Sequence, residues 1–354
     1  MQLSILVISR TPALLNAMLS SLRNACSLPQ EEVEVLCSWN GGQGDERAIN
    51  NESGYELLIA QRDPYHFATN MNGLADKATG TDLLLINDDV VLDAGSVDAA
   101  LGCLRSHPEA GIVGARLRHS NGLLAHAGMA FDSRNNAYHT LENLLPADCN
   151  WATEVDRPVP AVTGAVMLLA RNTFQQLRLQ EHYRQCGEDV ELCLDLRQHL
   201  NQQVWLCVGA SGIHESESTR KNQEIPEYLS EDQVRMRARY HRFINEASAD
   251  QLQVELRCSQ REAELYREIG QSNTQSGKSE ALRISEEISS LKTELNAEKQ
   301  ITTSLQLHRL RLEQDLEQLL IEQRMFLSET REMEALRRKL ASLSQGWIPP
   351  RLRR

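Results

Sequence analysis

Short apolar runs alternate with stretches of three-and-four periodicity along the first 250 residues. The runs fall at Leu3–Ile8, Val33–Cys37, Leu57–Ala60, Leu83–Asn87, Ile112–Leu117, Val162–Ala170 and Val204–Val208. Their length and bounding polar residues predict buried strands. Helical patterns separate several of them, at Pro12–Ala25, Ala94–Ser106 and Val190–His199. Strands interleaved with helices predict an α/β fold, a Rossmann-type, mostly parallel sheet flanked by helices. Gly41-Gly-Gln-Gly44 lacks the spacing of a phosphate loop and predicts a turn.

The pattern changes beyond residue 280. Ile284, Ile288, Leu291, Leu295, Leu305, Leu312, Leu316, Leu319, Phe326, Met333 and Leu340 step by three and four, or by their sum. Glu298, Thr302, Arg309, Gln323, Thr330 and Arg337 interrupt the seam. This predicts a long α-helical coiled coil with flaws. The stripe is too narrow for burial inside a globule, so it calls for a partner helix, self or other; a single solvated helix is the other reading. Gly270 to Gly277 predicts a break between Leu252–Ile269 and the main helix. The expected plan is a sheet domain over 1–248, a helical linker with a break over 249–277, a coiled coil over 278–345 and a basic tail over 346–354.

Composition sharpens this division. The chain has 354 residues, enough for about two domains. It has a formal charge of −12 and 41% hydrophobic residues, which supports a sizeable core. Residues 1–250 hold 20 basic and 33 acidic side chains and 16 of the 19 glycines, so the acidity belongs to the sheet domain. That balance argues against general nucleic-acid binding, which needs cations to displace counterions. No apolar run reaches the ~18–20 residues of a membrane span, and Leu3–Ile8 lacks a basic leader, so it reads as a strand rather than a signal peptide. The eight cysteines include no Cys-x-x-Cys pair; they are expected to be reduced, mostly buried residues of a cytosolic protein, with no zinc site.

Three segments could carry chemistry. Leu83–Ile86 ends in Asn87-Asp88-Asp89, which places carboxylates at the end of a buried strand. In open sheets that is the ligand crevice, and hard oxygen donors there suit Mg²⁺ or Mn²⁺ and a phosphate-bearing ligand. The same residues also form turns. Gly187-Glu188-Asp189 precedes a helical run; the helix dipole alone accounts for acids there, and a general base is the functional alternative. Ser211-Gly212-Ile213-His214 follows the last strand and offers an imidazole that could ligate metal or simply form a surface hydrogen bond. Arg10, Asn40 and Arg62 lie at or near strand ends and are candidate nucleotide contacts; Arg116 and Arg118 are expected at the surface.

In this order the segments resemble the inverting family-two glycosyltransferases of the GT-A fold, especially rhamnosyltransferase-like members, over roughly residues 1–245. The resemblance rests on Leu3–Arg10, His66-Phe-Ala-Thr-Asn-Met-Asn72-Gly73-Leu74, Asp82–Val90 with Leu92-Asp-Ala-Gly-Ser96, His126-Ala-Gly128, Val162-Thr-Gly164 to Arg171, Gly187–Leu194 and His214-Glu-Ser-Glu-Ser218. It implies that Asp89 is the last acid of the Asp-x-Asp metal motif and that Asn87 stands at its first acid. Asp88 would face the ribose or a metal-bound water, with Ser9 and Asn72 among the nucleotide-sugar contacts. Asp189 would be the catalytic base, Glu188 and Gly164 would face the acceptor, and His214 would be the third metal-side ligand. Two departures bear on the donor's base and sugar rather than on the fold. Trp39 stands where the family often has a base-reading Asp, and His66 replaces a Gly in a segment one residue short.

The resemblance implies a metal-dependent inverting transferase, using Mn²⁺ or Mg²⁺. It would move a hexosyl or deoxyhexosyl group from a nucleotide-diphosphate sugar to a glycan or lipid-linked acceptor, in bacterial surface polysaccharide synthesis. The alternative is a catalytically impaired scaffold that assembles partners through the coiled coil; Asn87 and Trp39 favour it, and Asp89, Asp189 and His214 count against it. A nucleotidyltransferase would need a glycine-rich basic loop after the first strand, which Ser9-Arg-Thr-Pro12 does not supply. The basic residues around Trp347 suit peripheral contact with an anionic membrane inner face, or equally a charged helix end. The expected location is cytoplasmic, with a homo-oligomer or partner helix at the coiled coil.

Overall fold

The computed structural model describes residues 1–214, 231–273, 333 and 335–339. The chain divides into two units, Met1–Glu268 and Ile269–Arg354. In the second, residues 333 and 335–339 are helical. The rest of the coiled coil expected over 278–345 and the tail over 346–354 lie outside the described residues.

In the first unit the elements run β1 (Leu3–Ser9), α1 (Pro12–Ala25), β2 (Val33–Trp39), α2 (Gln43–Glu46), β3 (Glu56–Gln61), α3 (Phe67–Lys77), β4 (Asp82–Asn87), β5 (Val90–Leu92) and α4 (Ser96–Ser106). Then come β6 (Ala110–Arg118), β7 (Leu124–His126), β8 (Met129–Phe131), β9 (Ala137–His139), α5 (Asn150–Thr153), β10 (Arg157–Pro158) and β11 (Val166–Ala170). The series ends with α6 (Arg171–Leu177), α7 (Glu188–His199), β12 (Gln203–His214), α8 (Glu231–Glu246) and α9 (Ala249–Asn273). The main sheet has the path β10-β12-β6-β11-β4-β1-β2-β3. Strands β1 to β4 pair in parallel, as do β6 and β12. Strand β11 enters antiparallel between β4 and β6. The sheet is therefore mostly parallel, as the alternation of elements predicts.

Its strands are apolar on both faces because both are covered. Leu6 and Ile8 of β1 join a core with α3, α6, α7 and α8, whereas Leu3, Ile5 and Val7 join a second core with α1 and α4. This period-two division explains why β1 reads as one continuous hydrophobic run.

The structure departs from the sequence expectation where backbone leaves the sheet. Only Val166–Ala170 of the run 162–170 is strand; the preceding residues form a loop. Strand β12 runs on to His214 through a bulge between Cys207 and Ser211. Gly41–Gly44 leads into the short helix α2 rather than a simple turn. Arg116 and Arg118 are half-buried rather than surface residues. Arg118 forks onto Asp93 at 2.5 and 2.8 Å, and Arg116 donates to the carbonyls of Ala147 and Val208. Peptide carbonyls and a carboxylate satisfy these guanidinium groups where water otherwise would.

Residues 249–268 of α9 pack on the sheet unit. Val254 and Leu265 are buried, and Leu252 and Cys258 lie against the core. Arg197 of α7, 3% exposed, pairs with Glu255 at 2.8 and 2.9 Å and donates to the carbonyls of Pro160 and Gln251. Removing the carboxylate strands a buried guanidinium. Glu255→Ala is expected to destabilise the chain by about 3 kcal/mol, read from the urea midpoint at constant slope. An unchanged midpoint would show that α9 is not held by this pair.

Candidate active site

The first group forms at the carboxyl end of β4. Asn87 closes the strand, and Asp88 and Asp89 form the turn into β5. Ser9, at the end of β1, donates its hydroxyl to Asp88 Oδ2 at 2.6 Å. Burial raises the Asp88 carboxyl to about 6; Ser9 and Arg10 oppose the shift and Asp89 adds to it. Strand β5 then pairs antiparallel with the end of β12, with His214 opposite Val90. That register brings His214 Nε2 to 3.3 Å from Asp89 Oδ1, with both side chains largely buried.

A second cluster holds this pairing in place. Asp93 accepts from Arg118 and from the Ser211 hydroxyl at 2.6 Å, and its own N–H donates to the Ser211 carbonyl at 2.9 Å. Ser96 donates to the same carbonyl and accepts from Ser211 N. These bonds, with Arg118 and Ser211 stabilising the ionised form, hold Asp93 below the usual carboxylate range. The oxygen of Asp89 and the nitrogen of His214 converge closely enough to take a divalent ion from one side, leaving its other positions for phosphate oxygens.

The other group sits at the start of α7. Gly187 has φ +117°, and a Cβ there would lie 2.8 Å from the Tyr183 ring, so both conformation and space require glycine. The loop before it is held by Asp232 of α8, whose Oδ2 accepts from the backbone N–H groups of Arg184 and Gln185 at 2.9 and 2.6 Å. Asp189 Oδ2 accepts from Gly164 N, and Oδ1 from Val190 N, both at 2.8 Å. A Cβ on Gly164 would approach the Asp189 Cβ and the Phe67 ring to 3.2 Å. Glu188 is 8% exposed beside Asp189.

The two groups meet through one loop. Asn87 N donates to the Ala165 carbonyl at 3.0 Å, one residue from the Gly164 N–H that holds Asp189. Tyr65 lies within electrostatic range of both groups. The residue is 60% exposed; desolvation at the phenol oxygen raises the phenol, followed by the charges of Glu188 and Asp88, against Arg10. The loop also rests on His126, whose Nε2 accepts from Gly128 N at 3.3 Å and Thr163 N at 3.5 Å. That fixes its proton on Nδ1, directed at His139 Nδ1 at 2.8 Å.

The fold thus brings together Ser9, Arg10, Asn87, Asp88, Asp89 and His214, and joins them to Gly164, Glu188 and Asp189. It does not bring in Asn72. That side chain is 3% exposed, donates to the Leu179 carbonyl and Glu181, and accepts from Leu179 N, bracing the loop after α6. Arg62 pairs with Glu46 at 2.6 Å. Asn40 takes its N–H to the Ser9 carbonyl at 2.7 Å and its side-chain amide to the Asp63 carbonyl. Trp39 is 1% exposed and donates its indole N–H to Gly42, so it belongs to the core rather than a base-reading surface. His66 caps α3 by accepting from Thr69 N on Nδ1 and contacts the Tyr183 carbonyl through Nε2 at 2.8 Å. A cavity of about 470 Å³ beside β6, lined by Arg116, Arg118, Gly122 and Asp148, shares none of the site residues.

Sequence reasoning missed Tyr65, Asp93 and Asp232. Asp93 lies one residue from the end of β5, a strand too short to show periodicity. Asp232 acts across 46 residues or more, with no local signal.

No family model matches the chain. It is 29% identical over 223 residues to the O-antigen biosynthesis protein RfbC of Myxococcus xanthus, spanning 61% of this chain and 17% of that protein. It is 26% identical over 237 residues to the uncharacterized protein y4gI of Sinorhizobium fredii, spanning 63% of this chain and 25% of that one. The chain therefore matches a quarter or less of the length of these relatives. Among solved structures, S. aureus TarS 1–349 in complex with UDP-GlcNAc aligns with a TM-score of 0.49 at 13% identity, covering 74% of this chain and 72% of that one. The mannosyltransferase PcManGT from Pyrobaculum calidifontis, in complex with GDP-Man and Mn²⁺, aligns at 0.48 and 12% identity, covering 82% and 80%.

Burial, and then the charge of His139, lowers His126 well below the ordinary imidazole range. As pH falls below about 6.5 the unfolded chain takes up this proton before the folded one, so stability present above that pH is lost. Between pH 7.5 and 5.5 the unmodified chain is expected to lose about 1 kcal/mol more than His126→Gln in urea unfolding. Equal losses would remove His126 as the source.

Proposed function

We propose that this chain transfers a sugar, hexosyl or deoxyhexosyl, from a nucleotide-diphosphate donor to a hydroxyl of a glycan or lipid-linked acceptor, with inversion at the anomeric carbon. The observation that carries this reading is the junction of two polar groups at one loop. Asp88 and Asp89 with His214 lie on one side, and Asp189 lies at the α7 amino terminus on the other. The partial relative named for O-antigen biosynthesis supports a place in surface polysaccharide synthesis.

In this reading Asp89 and His214 hold a divalent ion, Mn²⁺ or Mg²⁺. When bound, the ion supplies Lewis-acid neutralisation of charge developing on the leaving phosphate. Ser9, Arg10, Asn87 and Asp88 face the nucleotide. Ser9 fixes the Asp88 carboxyl, and Arg10 offsets the negative charge that two adjacent acids would otherwise accumulate. Asp189 accepts the proton of the acceptor hydroxyl as that oxygen bonds to the anomeric carbon and the sugar–phosphate bond breaks. Two backbone N–H groups orient its carboxylate. A single displacement of this kind inverts the anomeric configuration. Glu188 and the bare backbone at Gly164 border the acceptor. Residues 278–345 would dock a second copy or partner helix, and the basic tail would approach an anionic membrane face.

The first test offers uridine-, guanosine- and thymidine-diphosphate sugars to the full chain with Mn²⁺ or Mg²⁺ and measures nucleotide release. One donor is expected to be turned over. No release and no nucleotide binding would favour the scaffold reading. Asp189→Asn should lower transfer by ~10²–10⁴ with donor binding retained; near-normal transfer would remove it as the base. Asp89→Ala and His214→Ala should each raise the metal concentration needed for half-maximal release, and an unchanged requirement would take them out of the ion site.

A further inference from the structure

A second group of metal-ligating side chains lies at the carboxyl end of α4, outside the transferase site. Cys103 and His107 stand four residues apart, so one turn of α4 and its carboxyl cap presents both on one side. Asp156 comes from the segment before β10. One donor atom from each of these three residues lies within 4.8 Å of the others. Cys207 of β12 neighbours Cys103, outside the set whose donor atoms lie mutually within 4.8 Å, and is the available fourth donor. Both cysteines are almost wholly buried, at 4% and 2% exposure.

We infer that Cys103, His107, Asp156 and Cys207 form a structural binding site for a thiophilic divalent ion of the zinc class. Two sulfurs, an imidazole nitrogen and a carboxylate oxygen make a tetrahedral donor set, and thiolates select such ions over Mg²⁺ or Mn²⁺. Zinc bonds of about 2.0–2.3 Å would draw together the donor atoms of Cys103, His107 and Asp156, which lie within 4.8 Å of one another. The imidazole is held in place by Trp205, on which its ring stacks with centroids 3.7 Å apart. Asp156 is fixed as well, accepting from Val208 N at 2.7 Å. The end of α4 carries the negative pole of its helix dipole, which favours a cation.

The thiol pair fits the same picture. Cys103 lowers the Cys207 thiol, against burial, with the backbone N–H groups of Ala210 and Gly209 helping. The same pairing raises Cys103, next to burial and the Asp156 charge. A divalent ion would relieve that excess negative charge as the second proton leaves.

The location gives the site a purpose independent of sugar transfer. Cys207 and Val208 open the bulge of β12, beyond which the strand carries Ser211 and His214. An ion there would fasten α4 and the segment before β10 to that bulge. The chain shows no zinc pattern because the donors lie at 103, 107, 156 and 207, on separate elements, rather than in paired cysteines. The expectation that the cysteines hold no zinc site rested on that spacing alone.

The test uses the full chain, purified under thiol reductant, stripped with chelator and titrated with Co²⁺. One equivalent is expected to bind with the sulfur-to-cobalt charge-transfer absorption of thiolate ligation, and Zn²⁺ should displace it. Cys103→Ser and Cys207→Ser should each weaken binding by ~10–100-fold or more and diminish the band, whereas Cys149→Ser should leave both unchanged. Asp156→Asn keeps an acceptor for Val208 N, so it should fold with an unchanged circular dichroism spectrum and still bind ~10-fold more weakly. Absence of the band in the unmodified chain overturns the inference. So does a band that survives Cys103→Ser, or a Cys103–Cys207 disulfide in the reduced preparation.

Discussion

The site depends on one antiparallel contact, three residues long, between β5 and the end of β12. His214 pairs with Val90, and with β6 holding Ser211–Ile213 on the other side, this carries an imidazole from the end of the last described strand to Asp89, 125 positions earlier. So short a ladder has little stability of its own. It is secured by Asp93, which takes the fork of Arg118 and the hydroxyl of Ser211, and by Ser96, which exchanges two hydrogen bonds with Ser211. A half-buried ion pair whose carboxylate also accepts from a hydroxyl holds position better than an exposed one. Arg118, which periodicity assigns to the surface, is therefore part of the frame.

The other half of the site follows a different strategy. Asp189 is placed by backbone rather than by side-chain pairs, through the N–H groups of Gly164 and Val190. The loop that supplies Gly164 leaves the sheet before β11 and rests on a buried neutral histidine, His126. The turn into α7 is fixed by Asp232 from a helix far along the chain. Backbone donors move little, so a carboxylate held this way keeps its geometry. The proposed base is thus oriented by core elements and not by flexible surface groups.

The proposed sugar-transfer site and the inferred thiol-bearing site use different donors for different ions. Asp89 and His214 offer one hard oxygen and one nitrogen, which suits an ion shared with a phosphate. Cys103, Cys207, His107 and Asp156 offer a closed set, which suits an ion that stays. Both act on β12, one at its bulge and one at its end.

The sequence by itself determined the strand–helix alternation, the parallel core and the segments that hold Asp88, Asp89, Asp189 and His214. These are local properties: period-two burial, helix starts at Gly187, and acids at a strand end. Strand-end position placed Arg62 and Asn40 among the nucleotide contacts, and the family resemblance placed Asn72 there. Only the tertiary structure assigned Asn72 to the Leu179 loop, Arg62 to Glu46 and Trp39 to the core. The strand β5, the bulge in β12, the Asp232 brace and the four-residue thiol group were likewise decided there. Each joins residues tens to more than a hundred positions apart, and such pairings follow from packing and hydrogen-bond satisfaction in three dimensions, which leave no periodicity in the chain.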